Sequence, residues 1–398
     1  MIKIGYIIVR EDLYNPVIKT QVINILLEIA QETNKEITIV WFYRLDTLLK
    51  DRVKIKKIKE KLFLNRIKLL MIPFLSCRFP VKKLLFPFMI LQWYTSVRLM
   101  INSENFDILH CRSYNAVLIG LIAKKIKPAT KIIFDPRSQY IEENIAGGEW
   151  KKGDVNYKIW KYLEELYLLK SDIIIATSKP LYTTYLMRTN EKTKIELIPN
   201  NFYGKSIDTS ATHYHQNGKY IICYTGHFNP WNKLNLYLRF FKKLYIFDPK
   251  NFMFLFVVPY VNILQVKKEV KKYDLQKVTQ IISVKPNEVT KTLSKGTVGI
   301  QLMDQKDKRL AIKYVDYLSA GLPVLVSENI EGAAYAVEDD LVGKVILKNG
   351  NNFFEVINFI KQVSHDRRKW ASRCTNIAEK KYSKKVIANR LNKLYDNI

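Results

Sequence analysis

Short β-branched runs alternate with longer segments of helical period along almost the whole chain. Lys3 to Val9 and Ile37 to Phe42 bracket the periodic segment Val17 to Gln31, which makes a β-α-β unit. The alternation resumes through Asp107 to Leu109, Ala116 to Lys125, Lys131 to Phe134, Tyr157 to Leu169, Ile173 to Thr177 and Ile195 to Ile198. Runs that are apolar on both faces and separated by helices belong to a parallel sheet covered on both sides. Asn201 to Gly218 is polar, Gly-punctuated and aperiodic, and reads as a linker. The series then restarts at Lys219 to Thr225 and runs to a last strand at Pro323 to Val326. The expected fold class is therefore α/β, with two Rossmann-like, doubly wound parallel-sheet domains facing a cleft. Residues 1–200 form the first, 201–218 the linker and 219–382 the second. Phe353 to Ile398 reads as helices, of which 383–398 is a terminal helix packing back toward the first domain. A length of 398 residues suits two domains of about 100 to 200 residues each.

Charge narrows the partners. Lys and Arg outnumber Asp and Glu by 65 to 37, a formal +28 that attracts polyanions and opposes compaction. The lysines are unevenly spread: residues 50–98 hold thirteen basic side chains against Asp51 and Glu60, a net +11, interleaved with Phe63, Phe74, Phe79, Phe86, Phe88, Trp93 and Tyr94. Lys and Arg beside large apolar residues suit an interfacial helix whose charges meet anionic lipid head groups, at about 1 kcal/mol per charge. Ordinary helices with solvated lysines are the alternative, and need no partner. No nucleic acid is expected, because no helix-turn-helix, RRM, KH or zinc-finger pattern accompanies the charge.

The four cysteines, Cys77, Cys111, Cys223 and Cys374, lie far apart without a CxxC pair or a His at metal-ligand spacing, which indicates neither a disulfide framework nor a metal site. The N-terminal run lacks the pattern of a secretory signal, and the longest uncharged stretch, Asn251 to Val266, has only 16 residues. A cytoplasmic protein, peripheral on the inner face of the cell membrane, is the expectation.

Open parallel sheets bind ligands at the carboxyl ends of their strands, so two facing sheets place the chemistry between them. No GxGxxG follows the first strand, and GxxxxGK[ST] and GxSxG are absent, which weakens the dehydrogenase, P-loop and α/β-hydrolase readings. Four segments at strand ends stand out. Ile312 to Ser327 reads IKYVDYLSAGLPVLVS: a helix carrying Lys313 and Asp316 ends at Gly321, which suits a left-handed cap, and Pro323 opens the next strand. Taken alone, Lys313 and Asp316 are equally a surface ion pair at i, i+3. Tyr224 to Leu234 turns through Gly226 into a helix, and a Gly there lets backbone N–H groups and a helix N-terminus approach phosphate. Phe106 to Asn115 carries His110 and Arg112 at a strand end. Phe134 to Glu143 carries Asp135 and Arg137 at the next.

These segments resemble those of the GT-B glycosyltransferases, and within them the retaining group called family 4, over nearly the whole chain. Ile312 to Ser327 is similar to that group's K-x-x-E-Y-L-A-x-G-x-P-V signature, with Asp316 in place of Glu. The resemblance implies that Asp316 accepts hydrogen bonds from the nucleotide ribose and that Lys313 lies near the diphosphate. It implies a phosphate role for the Gly226 turn with His227 and Lys233, where relatives often carry Arg and an earlier Lys. The second carboxylate usual in the group, eight positions before Asp316, is here Lys308; Lys308 and Arg309 then meet either a negatively charged sugar or the diphosphate, or the donor differs. Arg112 is the candidate that stabilises charge on the departing diphosphate. His110 either contacts the transferring sugar or packs against the sheet. Asp135 and Arg137 are expected to shape the cleft as an ion pair, Glu142 and Glu143 are acceptor-side candidates, and Ile198 to Phe202, with Asn200, resembles the hinge element I-P-N-G.

The implied activity is retaining transfer of a sugar from a nucleotide diphosphate sugar to a hydroxyl of a glycan or lipid-linked glycan, in bacterial surface polysaccharide or lipopolysaccharide assembly. No cofactor and no metal is implied. Two other readings stay open: an epimerase of the same fold acting on nucleotide sugars, and a non-catalytic nucleotide-binding or scaffold protein.

Overall fold

The computed structural model describes residues 1–44, 51–74, 86–190, 193–209, 218–230 and 232–398, with the side chains of 86–90 outside the description. Seven strands form the first sheet: β1 Lys3–Val9, β2 Glu36–Tyr43, β3 Ile67–Pro73, β4 Ile108–Arg112, β5 Lys131–Asp135, β6 Ile173–Ala176 and β7 Lys194–Leu197. Their order is β3-β2-β1-β4-β5-β6-β7, with every neighbouring pair parallel. Six more form the second: β8 Tyr220–Thr225, β9 Phe252–Val257, β10 Thr279–Ile282, β11 Val298–Gln301, β12 Val324–Ser327 and β13 Gly343–Ile346. Their order, β10-β9-β8-β11-β12-β13, is again all parallel. The two Rossmann-like domains of the sequence reading are therefore present. In each, the winding reverses beside the first strand, between β1 and β4 and between β8 and β11, and a crevice opens there at the carboxyl ends.

Helices cover both faces of each sheet because the central strands are buried on both. On one face of the first sheet lie the helical stretch Pro16 to Glu32 and the helix Arg52–Leu64. On the other lie Phe86–Ser103, Tyr114–Ile126, Val155–Lys170 and Lys179–Leu186. The second domain ends in Arg367–Tyr382, and the chain then crosses back. In the final helix, Lys384–Asp396, Ile387, Ala388, Leu391, Leu394 and Tyr395 are buried in the core of the first domain. Lys35 anchors that helix through Asn392 Oδ1 and Asp396, both at 2.6 Å.

Two edge strands depart from the sequence reading. β3 lies inside the basic segment 50–98, which was expected to be helical. Lys68 points out of it to Glu104 at 2.6 Å, and Pro73 closes it, two features that keep an edge strand from pairing further. β13 has only the four residues GKVI, all half-buried, too short to register as an apolar run. Of the basic and aromatic residues of 50–98, Lys50, Arg78, Phe79, Lys82 and Lys83, with the side chains of Phe86 and Phe88, lie outside the described residues, as do Cys77 and linker residues 210–217. Cys111, Cys223 and Cys374 are buried free thiols. Among the described residues no helix is long and apolar enough to cross a membrane.

Candidate active site

The crevice of the first domain is framed by three strand ends, each followed by a non-glycine residue in the left-handed region: Arg10 (φ 64°) after β1, Ser113 (φ 74°) after β4 and Arg137 (φ 53°) after β5. Such residues cost about 1–3 kcal/mol each and persist where the surroundings hold them. A buried polar network holds Arg137. Arg112, at the end of β4, donates from Nε to Glu11 Oε1 and from Nη2 to Gln21 Oε1, both at 3.1 Å. Gln21 Nε2 donates to Asn200 Oδ1 at 2.8 Å, which also accepts from Arg137 Nη1 at 3.0 Å. Arg137 Nε lies 2.7 Å from Asp135 Oδ1. Asp135 is fully buried, which by itself disfavours its charge, but Arg137, His110 and Arg112 together hold its carboxyl well below the usual range. Arg112 Nη1 and Thr20 Oγ1 are buried and have no hydrogen-bond partner among the described residues.

Gln21 and Thr20 come from the segment Lys19–Ile23, which is wound as a π-helix inside the longer stretch Pro16 to Glu32. One wide turn of this kind rotates the following side chains and recurs at functional sites. It faces the second domain across a cavity of about 170 Å³. Pro16, Val17, Thr20 and Gln21 line one wall; Tyr203, Thr225, Pro286, Val289, Ile312 and Asp316 are on the other.

Asp316 sits in the middle of helix Ile312–Ser319, whose buried face is Tyr314, Val315, Tyr317 and Leu318. Its Oδ1 accepts from the backbone N–H of Tyr203, just past the hinge, at 3.1 Å. Desolvation pushes the carboxyl up to about 7, against that one hydrogen bond. Lys313, one turn earlier, is driven down to about 7 by burial. It does not pair with Asp316 at i, i+3: its Nζ donates to Tyr224 Oη at 3.0 Å and lies 4.5 Å from the Tyr224 ring centroid. The Lys313 stem runs beneath Gly226, whose φ of 113° excludes other residues and where a Cβ would meet Lys313 Cε at 2.8 Å. The turn after β8 and the helix after β11 are therefore packed into one unit. A cavity between two switch points, with the Asp316 carboxylate on one wall and the unpartnered Thr20 hydroxyl on the other, can hold a hydroxylated ligand, and Lys313 lies packed behind the Asp316 wall.

Comparison with sequence-family profiles returns no match, and comparison with curated proteins returns none. Solved structures do match, over the full length. Sucrose-phosphate synthase from Thermosynechococcus elongatus superposes with a TM-score of 0.71 at 12% identity, covering 100% of this chain and 99% of that one. Anabaena HepE, solved in complex with UDP and glucose, gives 0.66 at 13% identity and covers all of both chains. WaaB, a lipopolysaccharide outer core galactosyltransferase in its apo form, gives 0.68 at 12% identity, again over all of both chains. The chain has the GT-B fold.

Within this GT-B chain the other expected residues divide. His110 is fully buried: its Nδ1 is 2.7 Å from Tyr395 Oη and its Nε2 3.2 Å from Asp135 Oδ2. It packs against the sheet under the terminal helix, the second of the two places expected for it, and burial lowers its pKa. Lys308 and Arg309 hold the domains together. Lys308 Nζ donates to Thr184 Oγ1 at 2.9 Å, its N–H to Gln139 Oε1 at 2.9 Å, and its carbonyl accepts from Ser178 Oγ. Arg309 binds Asp307 through Nη2 at 2.9 Å and reaches across to Glu143. Burial of the Glu143 carboxyl raises its pKa despite that contact, and Glu142 lines a small cavity of about 20 Å³ beside it. Lys233 pairs with Asp304 at 2.7 Å, half-exposed at the start of helix Leu234–Phe247, and His227 is exposed. Trp231 lies outside the described residues. Asn200 spans the hinge, donating from Nδ2 to the Leu310 carbonyl of the second domain at 2.8 Å. Glu11, Thr20, Gln21 and Tyr395 were not singled out from the sequence. Only the strand-end position of Glu11 hinted at its place.

Proposed function

We propose that this GT-B protein transfers a sugar, with retention, from a nucleotide diphosphate sugar to a hydroxyl on an acceptor. The observation that carries the reading is Asp316 on the wall of the interdomain cavity, facing Thr20 and Gln21 of the other domain. An ionised Asp316 would accept from the ribose hydroxyls. The diphosphate would lie toward the Gly226 turn, where Lys313 and the N-terminal end of helix Leu234–Phe247 offset its charge. Lys233 would join by releasing Asp304. Arg112, with Nη1 unspent, lies buried behind Gln21 of the opposite wall, and from there would offset charge on the departing diphosphate, an interaction worth about 3–4 kcal/mol in a preorganised site. In the retaining reaction of this reading, the acceptor oxygen bonds to the anomeric carbon on the face from which the diphosphate oxygen leaves. The acceptor proton passes to that leaving oxygen, so no carboxylate nucleophile is required, and the cationic side chains stand in for a metal. HepE, whose structure holds UDP and glucose, makes UDP-sugars the first donors to test.

The acceptor in this reading is a lipid-linked glycan at an anionic inner leaflet, as in surface polysaccharide or lipopolysaccharide assembly. Support comes from helix Arg52–Leu64 and the turn after it. Ile55 and Leu62 face the core, while Lys54, Lys56, Lys57, Lys59 and Lys61 are exposed beside Phe63 and Leu64, both 80% exposed. Incubation with a panel of nucleotide sugars and a lipid-linked acceptor tests the chemistry. Glycosylated acceptor with free nucleotide supports transfer, a new sugar isomer points to epimerisation, and neither outcome with tight nucleotide binding leaves a scaffold. Failure of anionic liposomes to pull the protein down at low salt removes the membrane part alone.

A further inference from the structure

Helix Val155–Lys170 carries a second apolar face that is left uncovered among the described residues. Its inner face, with Glu164, Tyr167 and Leu168, is buried against the first sheet. The outer face of a surface helix is ordinarily polar. Here it presents Val155, Ile159, Tyr162, Leu166 and Leu169, spaced by four, three, four and three residues. Val155 is 72%, Ile159 50%, Tyr162 69% and Leu169 46% exposed, and Leu166 is half-buried. At about 100° per residue this stripe is only about 80° wide and runs the length of the helix, about 24 Å. An alternation of four and three is the 3.5-residue repeat by which one helix packs its side chains between those of another.

The flanking charges select the partner. In this repeat Ile159 and Leu166 take one core position, Val155, Tyr162 and Leu169 the other, and Lys158 and Glu165 both fall on the same flank, seven residues apart. When two copies of the helix run antiparallel about a two-fold axis, with Ile159 opposite Tyr162 of the other copy, that flank meets itself. Lys158 then faces Glu165 of the second copy, and Glu165 faces its Lys158. The opposite flank brings Asn156 to Leu163, with no like charges apposed. Glu165 is exposed enough to serve there while keeping its 2.7 Å contact with Arg188. We infer that this helix is a self-pairing surface whose occupant is a second copy of the chain, in an isologous antiparallel dimer. One helix pair buries less than the roughly 1,600 Å² of a standard interface, so the dimer is weak and concentration-dependent.

Net charge gives the association an unusual salt response. Two chains at +28 each repel, and added salt screens that repulsion. Sedimentation velocity on the full chain, at about 1–200 μM and at about 0.05 and 0.5 M salt, should show a monomer–dimer equilibrium that tightens with salt. Ile159→Glu with Tyr162→Glu, at two exposed positions, should leave a folded monomer with unchanged circular dichroism. Lys158→Glu and Glu165→Lys should each weaken self-association about tenfold or more, and their equimolar mixture should restore it, because only the mixed dimer regains both complementary pairs. A monomer under every condition overturns the inference, and so does a mixture that associates no better than the separate variants. If the stripe variants keep the wild-type mass but lose binding to anionic liposomes, the face contacts lipid and the inference also fails. None of these readouts involves sugar transfer, so they stand apart from the proposed activity.

Discussion

The pair Lys313 and Asp316 makes a pH prediction whose shape is set by burial. Desolvation brings the carboxyl up to about 7 and the ammonium down to about 7, so each is about half charged in the free protein at neutral pH. Below pH 6 the dissociation constant of a nucleoside diphosphate should rise about tenfold per unit as Asp316 takes up its proton, and above pH 8 about tenfold per unit as Lys313 loses its own. Binding draws both groups to their charged forms, so it should release protons below pH 7, absorb them above, and be proton-neutral near 7. Calorimetry with UDP at pH 5.5, 7 and 8.5, in buffers of different ionisation enthalpy, reads affinity and proton flux together. The terminal phosphate of UDP itself titrates near 6. The acid limb is therefore the difference between wild type and Asp316→Asn, and the alkaline limb that between wild type and Lys313→Met. In the free protein the same shifts act on stability. The raised carboxyl costs stability as pH climbs from about 4 through 7, and the lowered ammonium returns it from about 7 to 10. A UDP affinity that is flat from pH 6 to 8.5, or an acid loss of affinity as steep in Asp316→Asn as in the wild type, would refute the reasoning.

Three further outcomes follow from named contacts. Gly226→Ala places a Cβ 2.8 Å from Lys313 Cε at a φ of 113°, which should cost about 2–4 kcal/mol in urea unfolding and weaken UDP binding; an unchanged midpoint contradicts the packing described. Asp135→Asn leaves Arg137 buried without its counter-charge, for a loss of about 3–5 kcal/mol, and His110→Gln should likewise act on stability rather than turnover. A His110→Gln enzyme that is fully stable but slow would restore the histidine to the chemistry. Arg112→Lys loses the planar fork to Glu11 and Gln21, and should lower the transfer rate about 100- to 1,000-fold, with a smaller effect on the KM of the donor.

The fold was legible because central parallel strands are buried on both faces and read as continuous apolar runs, as in β1, β6 and β9. The edges were not. β3 is half-buried or exposed at five of its seven positions and carries Lys68, and β13 is four half-buried residues, so neither repeats the signal of the interior strands. In the site, Gly226, Lys313 and Asp316 were readable because Gly and Pro punctuate the local geometry around them. Thr20 and Gln21 were not. They are ordinary polar residues of a helical segment, and only the π turn and partners 91 and 179 residues away in sequence bring Gln21 to Arg112 and Asn200. His110 shows the converse. The family resemblance made His110 and Arg112 candidates together, and residues two apart on a strand share a face. The ring is sealed by Tyr395, 285 residues further on, and no local pattern reports that contact.

The central claim is that the interdomain cavity grips a nucleoside diphosphate through Asp316. Titration of the full chain with UDP, GDP, ADP and TDP by calorimetry, in parallel with Asp316→Ala, tests it most directly. At least one nucleotide should bind the wild type with one-to-one stoichiometry and lose about tenfold or more in affinity in the variant. Equal affinity in the two proteins, or no binding of any nucleotide to the wild type, would contradict the account.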